Sequence, residues 1–150
     1  MSELSVPEGF RPLKHVAAFL DMIGPIYVKR EGKSIIVAVR VEDRHLNMRK
    51  IAHGGMLVTL ADSALGITLY CFGEPPKPMV TVSLSTDFLE PAQAGDWLEA
   101  HVSVQRAGTH LAFANCNLRA GSKTVLRASG VFFILPAGAP SIPGEERFDG

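Results

Sequence analysis

Apolar and polar residues alternate with a period of two along the second half of the chain, which is typical of strands with one buried face. The alternation covers residues 79–89, 97–105, 111–119 and 124–135. Two shorter β-rich segments, 26–29 and 34–41, flank a turn at 30–33. Short turns between the later segments favour antiparallel pairing of neighbours. The pattern predicts six strands.

Between the second and third strands the pattern changes to that of a helix. From about Gly54 to Phe72 apolar residues occupy nearly every side, and Gly73 and a proline-rich segment close the stretch. A shorter helix is predicted over residues 11–23, where apolar positions recur at helical spacing before Gly24. The tail from about 136 is rich in Pro and Gly, so we expect it to fray.

A long helix that is apolar on nearly all sides must be covered by a sheet. The predicted fold is therefore α+β, a six-stranded antiparallel sheet wrapped around a long central helix. A chain of 150 residues is long enough to bury one such core, so residues 1–150 are taken as a single domain.

The composition limits the classes of partner that we expect the chain to bind. Apolar residues make up 47% and charged residues 20% of the chain, and 15 basic residues balance 15 acidic ones, so no excess charge points to nucleic acid or a membrane surface. No apolar run approaches the roughly 18 residues that span a bilayer, and no signal peptide is visible, so we expect a cytoplasmic protein. Cys71 and Cys116 lack metal spacing and are expected to be free thiols; no metal is predicted.

The candidate chemistry lies at the central helix. Gly54 and Gly55 stand at its predicted start, where free backbone N–H groups and the positive helix end suit an anion or a polarised carbonyl oxygen. Asp62 lies in the middle of the same apolar helix, where a carboxylate is costly unless it has a partner or a task. The pattern indicates an oxyanion site and a base.

Helix geometry separates these two groups. Gly55 and Asp62 lie seven residues apart, hence on one helix face to within roughly 20° but about 10 Å apart along the axis. A base and an oxyanion donor must both come within roughly 3 Å of the reacting atoms. One helix cannot supply both, whereas two antiparallel copies across a two-fold axis can. The sequence therefore predicts an active site shared by two chains.

Two motifs carry a resemblance to a known family. The first is Asn47, then His53-Gly54-Gly55, then Leu-Ala-Asp-Ser-Ala at 60–64; the second is Phe88-Leu-Glu-Pro91-Ala-Gln-Ala-Gly95-Asp96. Their order and spacing resemble the hotdog-fold acyl-CoA thioesterases, in particular the PaaI-type branch and thioesterase superfamily member 2. The resemblance covers roughly residues 20–135.

The resemblance implies roles for individual residues. Gly54, helped by Gly55, would polarise the thioester carbonyl, and Asp62 of the partner chain would act as general base or as nucleophile. Asn47 and His53 would orient the thioester, and Thr81 would position the water. The predicted substrate contacts are Ser63, Phe88, Pro91, Arg106, Gly108 and His110. Coenzyme A belongs to the substrate, no cofactor is expected, and the expected assembly is a homodimer or a dimer of dimers.

Structural alternatives stand beside these roles. Asp62 could be a carboxylate bonded to Thr59 or Ser63, His53 a residue of the helix start, and Asn47 an ordinary loop residue; the two glycines could serve helix packing. Two other functions are open: a non-catalytic acyl-CoA sensor, and, matching the motif less well, an acyl-thioester hydratase or dehydratase.

Overall fold

The computed structural model describes residues 4–13 and 17–136. Its strands and helices follow one another as β1 (Arg11–Leu13), α1 (Ala18–Ile23), β2 (Ile26–Glu31), β3 (Ser34–Arg40), α2 (Gly54–Phe72), β4 (Met79–Phe88), β5 (Trp97–Ala107), β6 (Leu111–Ala120) and β7 (Lys123–Ile134). A short 3₁₀ turn, Asp43–His45, lies between β3 and α2.

The strands form one antiparallel sheet of seven, in the order β1-β2-β3-β5-β6-β7-β4. Because α2 lies between β3 and β4 in the chain, β4 reaches the far edge and pairs with β7, while β5 takes the place beside β3. The pairing of β4 with β7 sets Thr81 opposite Phe132 and Phe88 opposite Leu126. One edge of the sheet is therefore the ten-residue β4.

Helix α2 packs against the concave face of this sheet. Its buried residues are Met56, Leu57, Leu60, Ala61, Ala64, Leu65, Ile67, Thr68, Leu69 and Cys71. The sheet leaves one strip of the helix uncovered, which we call the open face and which consists of Gly55, Thr59, Asp62, Ser63 and Gly66, all half-buried or exposed. At 100° per residue these five positions lie within about 100° of arc.

The family-level fold prediction is confirmed: a long central helix over the predicted residues lies within an antiparallel sheet, and all six predicted strands are present. The strand count was one short, because the predicted helix over 11–23 is wrong at its start. Residues Arg11–Leu13 form β1, which pairs with the edge of β2 and buries Leu13. Among the described residues of this stretch, 11–13 and 17–23, the helical ones are Ala18–Ile23. Apolar spacing alone could not reveal the edge of β2 with which Arg11–Leu13 pair.

Two other expectations concern the C-terminal tail of the chain and the length of its apolar runs. The predicted fraying beyond 136 falls on residues 137–150, which lie outside the described part of the chain. The expectation about apolar runs is wrong for α2, which has the length and composition of a membrane span. Because 56% of this stretch is buried inside the protein, length and composition alone do not indicate a membrane span here.

Cys71 and Cys116 are not joined in a disulfide and both are buried, as the sequence predicts. Burial raises the pKa of the Cys116 thiol from 9.0 to about 12, because the apolar interior disfavours the charged thiolate.

We expect Cys116 to resist maleimide at pH 8 in the folded protein and to react once urea unfolds it, since the thiolate is the reactive form. Between pH 9 and 12 the unfolded chain loses a proton that the folded chain keeps, so the free energy of unfolding should fall as pH rises through this window. Mass spectrometry of the peptide containing Cys116 reports the first effect and urea titrations the second. Rapid labelling of the folded protein, or an unchanged alkaline slope in Cys116→Ala, would contradict this account.

Candidate active site

The start of α2 is capped by a side chain. His53 has extended backbone angles, and its ring Nδ1 accepts a hydrogen bond from the N–H of Gly55 at 2.9 Å. A Cβ on Gly55 would lie 3.1 Å from that nitrogen, so glycine leaves room for the ring to fold back. The structure therefore shows His53 in the helix-start role that the sequence left as an alternative.

This cap makes the two glycines unequal. The N–H of Gly55 is taken by His53, and the N–H of Leu57 donates to the backbone oxygen of His53 at 3.1 Å. The N–H of Gly54 meets no acceptor within residues 4–13 and 17–136. Gly54 thus presents a free donor at the positive end of a 19-residue helix.

The ring of Phe88 lies beside this donor. A Cβ on Gly54 would come within 3.2 Å of Phe88 Cε1 and 3.4 Å of Cζ. Phe88 is the last residue of the edge strand β4 and is 56% exposed. Sequence analysis placed Phe88 among the substrate contacts, and the structure places it at the donor.

The carboxylate of Asp62 is held by β4. Thr81 Oγ1 donates to Asp62 Oδ1 at 2.8 Å, and Asp62 lies half-buried on the open face. Thr59 donates instead to the backbone oxygen of Gly55 at 2.9 Å, so the alternative in which Thr59 is the partner of Asp62 is wrong. Ser63 lies next to Asp62 on the open face. A half-buried carboxylate fixed by one hydroxyl is well placed to receive a proton or to attack a carbonyl.

Within one chain the donor and the acid stay apart. Gly54 and Asp62 are eight residues apart on a continuous helix, which separates them by about 12 Å along the axis. The two residues contact different parts of β4: Gly54 lies against Phe88 at the end of the strand, and Asp62 bonds to Thr81 near its start. One copy of the chain therefore contains two half-sites rather than one site.

Asn47 builds the loop that precedes α2. Its Oδ1 accepts from the N–H groups of Arg49 at 2.9 Å and Ile51 at 3.4 Å, and its backbone N–H donates to Ile51 O at 2.8 Å. Within this turn Lys50 takes a left-handed φ of 64°. The side-chain oxygen of Asn47 is therefore used inside the loop. A role of its amide towards a substrate stays a prediction.

The second motif, residues 88–96, connects the end of β4 to the start of α2 and to β3. The carbonyl of Ala92 accepts from Ala52 N at 2.7 Å, and Gly95 N donates to Val41 O at 2.8 Å. Gly95 takes a φ of 93°, and Asp96 Oδ2 accepts from Gln93 N at 2.9 Å. Its glycine and aspartate thus serve the turn. Pro91, a predicted substrate contact, is exposed, and its carbonyl accepts from Lys123 Nζ at 2.7 Å.

Arg106, Gly108 and His110 lie at the turn between β5 and β6. The register sets Leu111 opposite Phe133, and Phe133 opposite Val80, so this turn is at the β4 end that begins with Met79. Gly54 contacts Phe88 at the opposite end of β4. The structure therefore does not bring these three residues to the helix start of their own chain, and their role as coenzyme A contacts stays a prediction.

Sequence reasoning missed His45. Its ring is 3% exposed; Nδ1 accepts from Glu42 N at 2.9 Å, and Nε2 lies 2.7 Å from Ile23 O. Its backbone oxygen accepts from His53 N at 2.8 Å, so it fixes the residue that caps α2. The spacing of Glu42 and His45 forms a capping box, and this was the available signal.

Comparisons with known proteins identify the family. A family model described as the thioesterase superfamily matches residues 50–126, from the loop before α2 into β7. A protein of Pseudomonas aeruginosa, named only provisionally as an esterase, is 44% identical over 132 residues, covering 87% of this chain and 98% of its own. Acyl-coenzyme A thioesterase 13 of Mus musculus is 31% identical over 103 residues, covering 69% and 73%.

A similar solved structure is the PaaI protein from the phenylacetic acid degradation operon of E. coli. It is 26% identical, with a TM-score of 0.72, and the match covers 80% of this chain and 86% of that one.

Replacing the capping residue should separate its structural role from any other. His53→Ala removes the acceptor for Gly55 N–H and should lower the free energy of unfolding by about 1 kcal/mol. His53→Asn supplies another good N-cap acceptor and should restore most of that loss. Urea denaturation followed by circular dichroism measures both variants, and equal stability of the Ala and Asn variants would argue against the cap.

Proposed function

This chain belongs to the thioesterase superfamily and is a thioester hydrolase, and we propose that its substrates are acyl- or aryl-coenzyme A thioesters, cleaved to the free acid and coenzyme A. The supporting observation is the pair of half-sites on α2: the free N–H of Gly54 and the Thr81-bonded carboxylate of Asp62. The name of the mouse relative, an acyl-coenzyme A thioesterase, supports the substrate class.

The chemistry needs only these groups. A thioester carbonyl has weak resonance stabilisation and a good thiolate leaving group, so polarisation and a base suffice. The N–H of Gly54 at the helix end would hold the oxygen as negative charge develops, an interaction whose loss typically costs about 3–4 kcal/mol. Asp62 would accept the proton of an attacking water, contributing roughly 10²–10⁴-fold, or attack the carbonyl itself. Thr81 fixes the carboxylate, and Asn47 and His53 shape the donor end.

We infer that each complete site is formed by two copies of the chain. Strand β4 is a ten-residue sheet edge, with Val82 59% and Phe88 56% exposed. A long exposed edge with apolar side chains favours pairing with another strand. Antiparallel pairing of two β4 strands about the midpoint between Leu84 and Ser85 would set Thr81 opposite the partner's Phe88.

The helix requires the same symmetry. Rotation of α2 about a two-fold axis near Val58 would bring Gly54 of one copy opposite Asp62 of the other. In each chain Phe88 lies on Gly54 and Thr81 bonds to Asp62, so strand pairing and helix pairing bring the same groups together. A homodimer with two shared sites follows from both elements.

A second apolar patch supports a dimer of dimers. On the convex face of the sheet, Val80, Phe133 and Leu111 lie side by side across three strands, and Phe113 follows on β6. These side chains are 37–49% exposed, which is unusual for neighbouring large apolar groups on a monomer surface. We propose that two dimers meet there. A cytoplasmic location and the absence of a cofactor stay predictions.

Removal of the acid tests the reaction. Asp62→Asn and Asp62→Ala should each lower kcat for acyl-CoA hydrolysis at least 100-fold, because the water loses its base or the carbonyl its nucleophile. Release of free coenzyme A thiol measures the rate. Asp43→Asn, an exposed aspartate in the 3₁₀ turn, is the matched control and should hydrolyse at the normal rate. Retained turnover in both Asp62 variants would refute the assignment, and binding without turnover in the unmodified protein would favour an acyl-CoA sensor.

Mixing two inactive variants tests the shared site. Gly54→Pro removes the donor while keeping the helix, because proline is favoured at the first helical position. Refolding it with an equal amount of Asp62→Asn should give half heterodimers, each with one intact site, and so about a quarter of normal activity. The readout is again thiol release. No recovery despite mixed dimers by mass spectrometry would mean that each chain builds its own site.

A further inference from the structure

Gly66 is a glycine inside α2 that the packing of its own chain does not require. Glycine is among the poorest helix formers, yet a Cβ at this position would meet only Phe132 Cε1, at 3.6 Å, an ordinary contact. Gly130 is different, since its Cβ would lie 2.8 Å from Phe132 Cε2 and 3.0 Å from Leu65 Cδ1. Gly130 is needed for helix and sheet to approach, and Gly66 is not.

The position of Gly66 relates it to the acid. It lies four residues after Asp62, one helical turn along the open face. Its one close neighbour, Phe132, is the cross-strand partner of Thr81, and Thr81 bonds to Asp62. The missing side chain therefore leaves space beside Asp62, with the aromatic ring of Phe132 as one wall.

The partner's helix does not account for this space. The two-fold arrangement that sets Gly54 against Asp62 sets Gly66 against Lys50, which precedes the first residue of α2. The partner helix would thus begin opposite Asp62 and leave Gly66 uncovered by helix. The group nearest to a side chain at Gly66 is the apolar ring edge of Phe132, which suits a hydrocarbon group better than a charged nucleotide.

We propose that Gly66 sets the size of the acyl group that the enzyme accepts: its missing side chain leaves room, against the edge of the Phe132 ring, for the part of the acyl group that extends beyond its first two carbons. This inference rests on the proposed acyl-CoA hydrolysis. It assigns a specificity-determining role to a residue outside both motifs. Acetyl groups are too short to reach this space, whereas hexanoyl and larger acyl groups must pass through it.

Gly66→Ala fills the space with one methyl group, and Gly66→Ser serves as a second variant. We expect kcat/KM for hexanoyl-CoA and phenylacetyl-CoA to fall at least tenfold relative to acetyl-CoA, because one methylene in a pocket discriminates by roughly 10–200-fold. The Tm of Gly66→Ala should be equal or higher, since alanine is the better helix former. Thr59→Ala, on the same face and with its hydroxyl bonded to the helix backbone at Gly55 O, is the matched control and should leave the substrate ratio unchanged.

The outcomes separate this inference from the function on which it rests. An unaltered substrate ratio in both Gly66 variants overturns the role of Gly66 while the unmodified protein still hydrolyses acyl-CoA. Equal loss on every substrate, or a smaller assembly by light scattering, overturns it in favour of a role in assembly. Absence of acyl-CoA hydrolysis by the unmodified protein refutes the proposed function, and the inference with it.

Discussion

The sheet covers α2 on one side only, and this incomplete burial is the constraint on which the site depends. Ten helix residues are buried, which fixes the rotation of α2 about its axis. The remaining strip carries Thr59, Asp62 and Ser63, while the buried Thr68 is satisfied by the backbone oxygen of Ile35. Since β4 is both the neighbour of this strip and an edge of the sheet, the acid and the proposed surface for a second chain lie side by side. A fully wrapped helix would offer neither.

The adjacent glycines at the start of α2 illustrate how one motif divides into separate tasks. Gly55 is small so that the ring of His53 can reach its N–H, and Gly54 is small so that Phe88 can lie against it. The cap satisfies one backbone donor and leaves the neighbouring one free. His45 supports this arrangement, because it is buried and its backbone oxygen accepts a hydrogen bond from the N–H of His53. The free N–H of Gly54 is therefore positioned by residues that, in the proposed reaction, need not touch a substrate.

Sequence reasoning recovered those features that depend on local periodicity. The alternation of strands and the closed ends of α2 are local, and the predicted helix agrees with Gly54–Phe72. The resemblance to the family implied a role for Thr81 in positioning the water, and the structure shows that its hydroxyl bonds to Asp62. Other features depend on tertiary context. β1 forms because the edge of β2 is open to it, and the turn with Arg106 and His110 lies away from Gly54 because of the strand order. His45 carries no periodic signal of its own. The alternation of β7 places Phe132 on a strand, but it does not show that the ring lies against Gly66.

The eight-residue offset between Gly54 and Asp62 has an evolutionary consequence. In a symmetric pair, one gene encodes both the donor and the acid of every site, so each copy is complete only through its twin. After gene duplication, one daughter could lose its acid and the other its donor without abolishing turnover. The two products would then depend on each other as an obligate heteromer with a single working centre and a vestigial one. The surplus centre would be free to drift towards ligand sensing, and the fold could acquire regulation without any new domain.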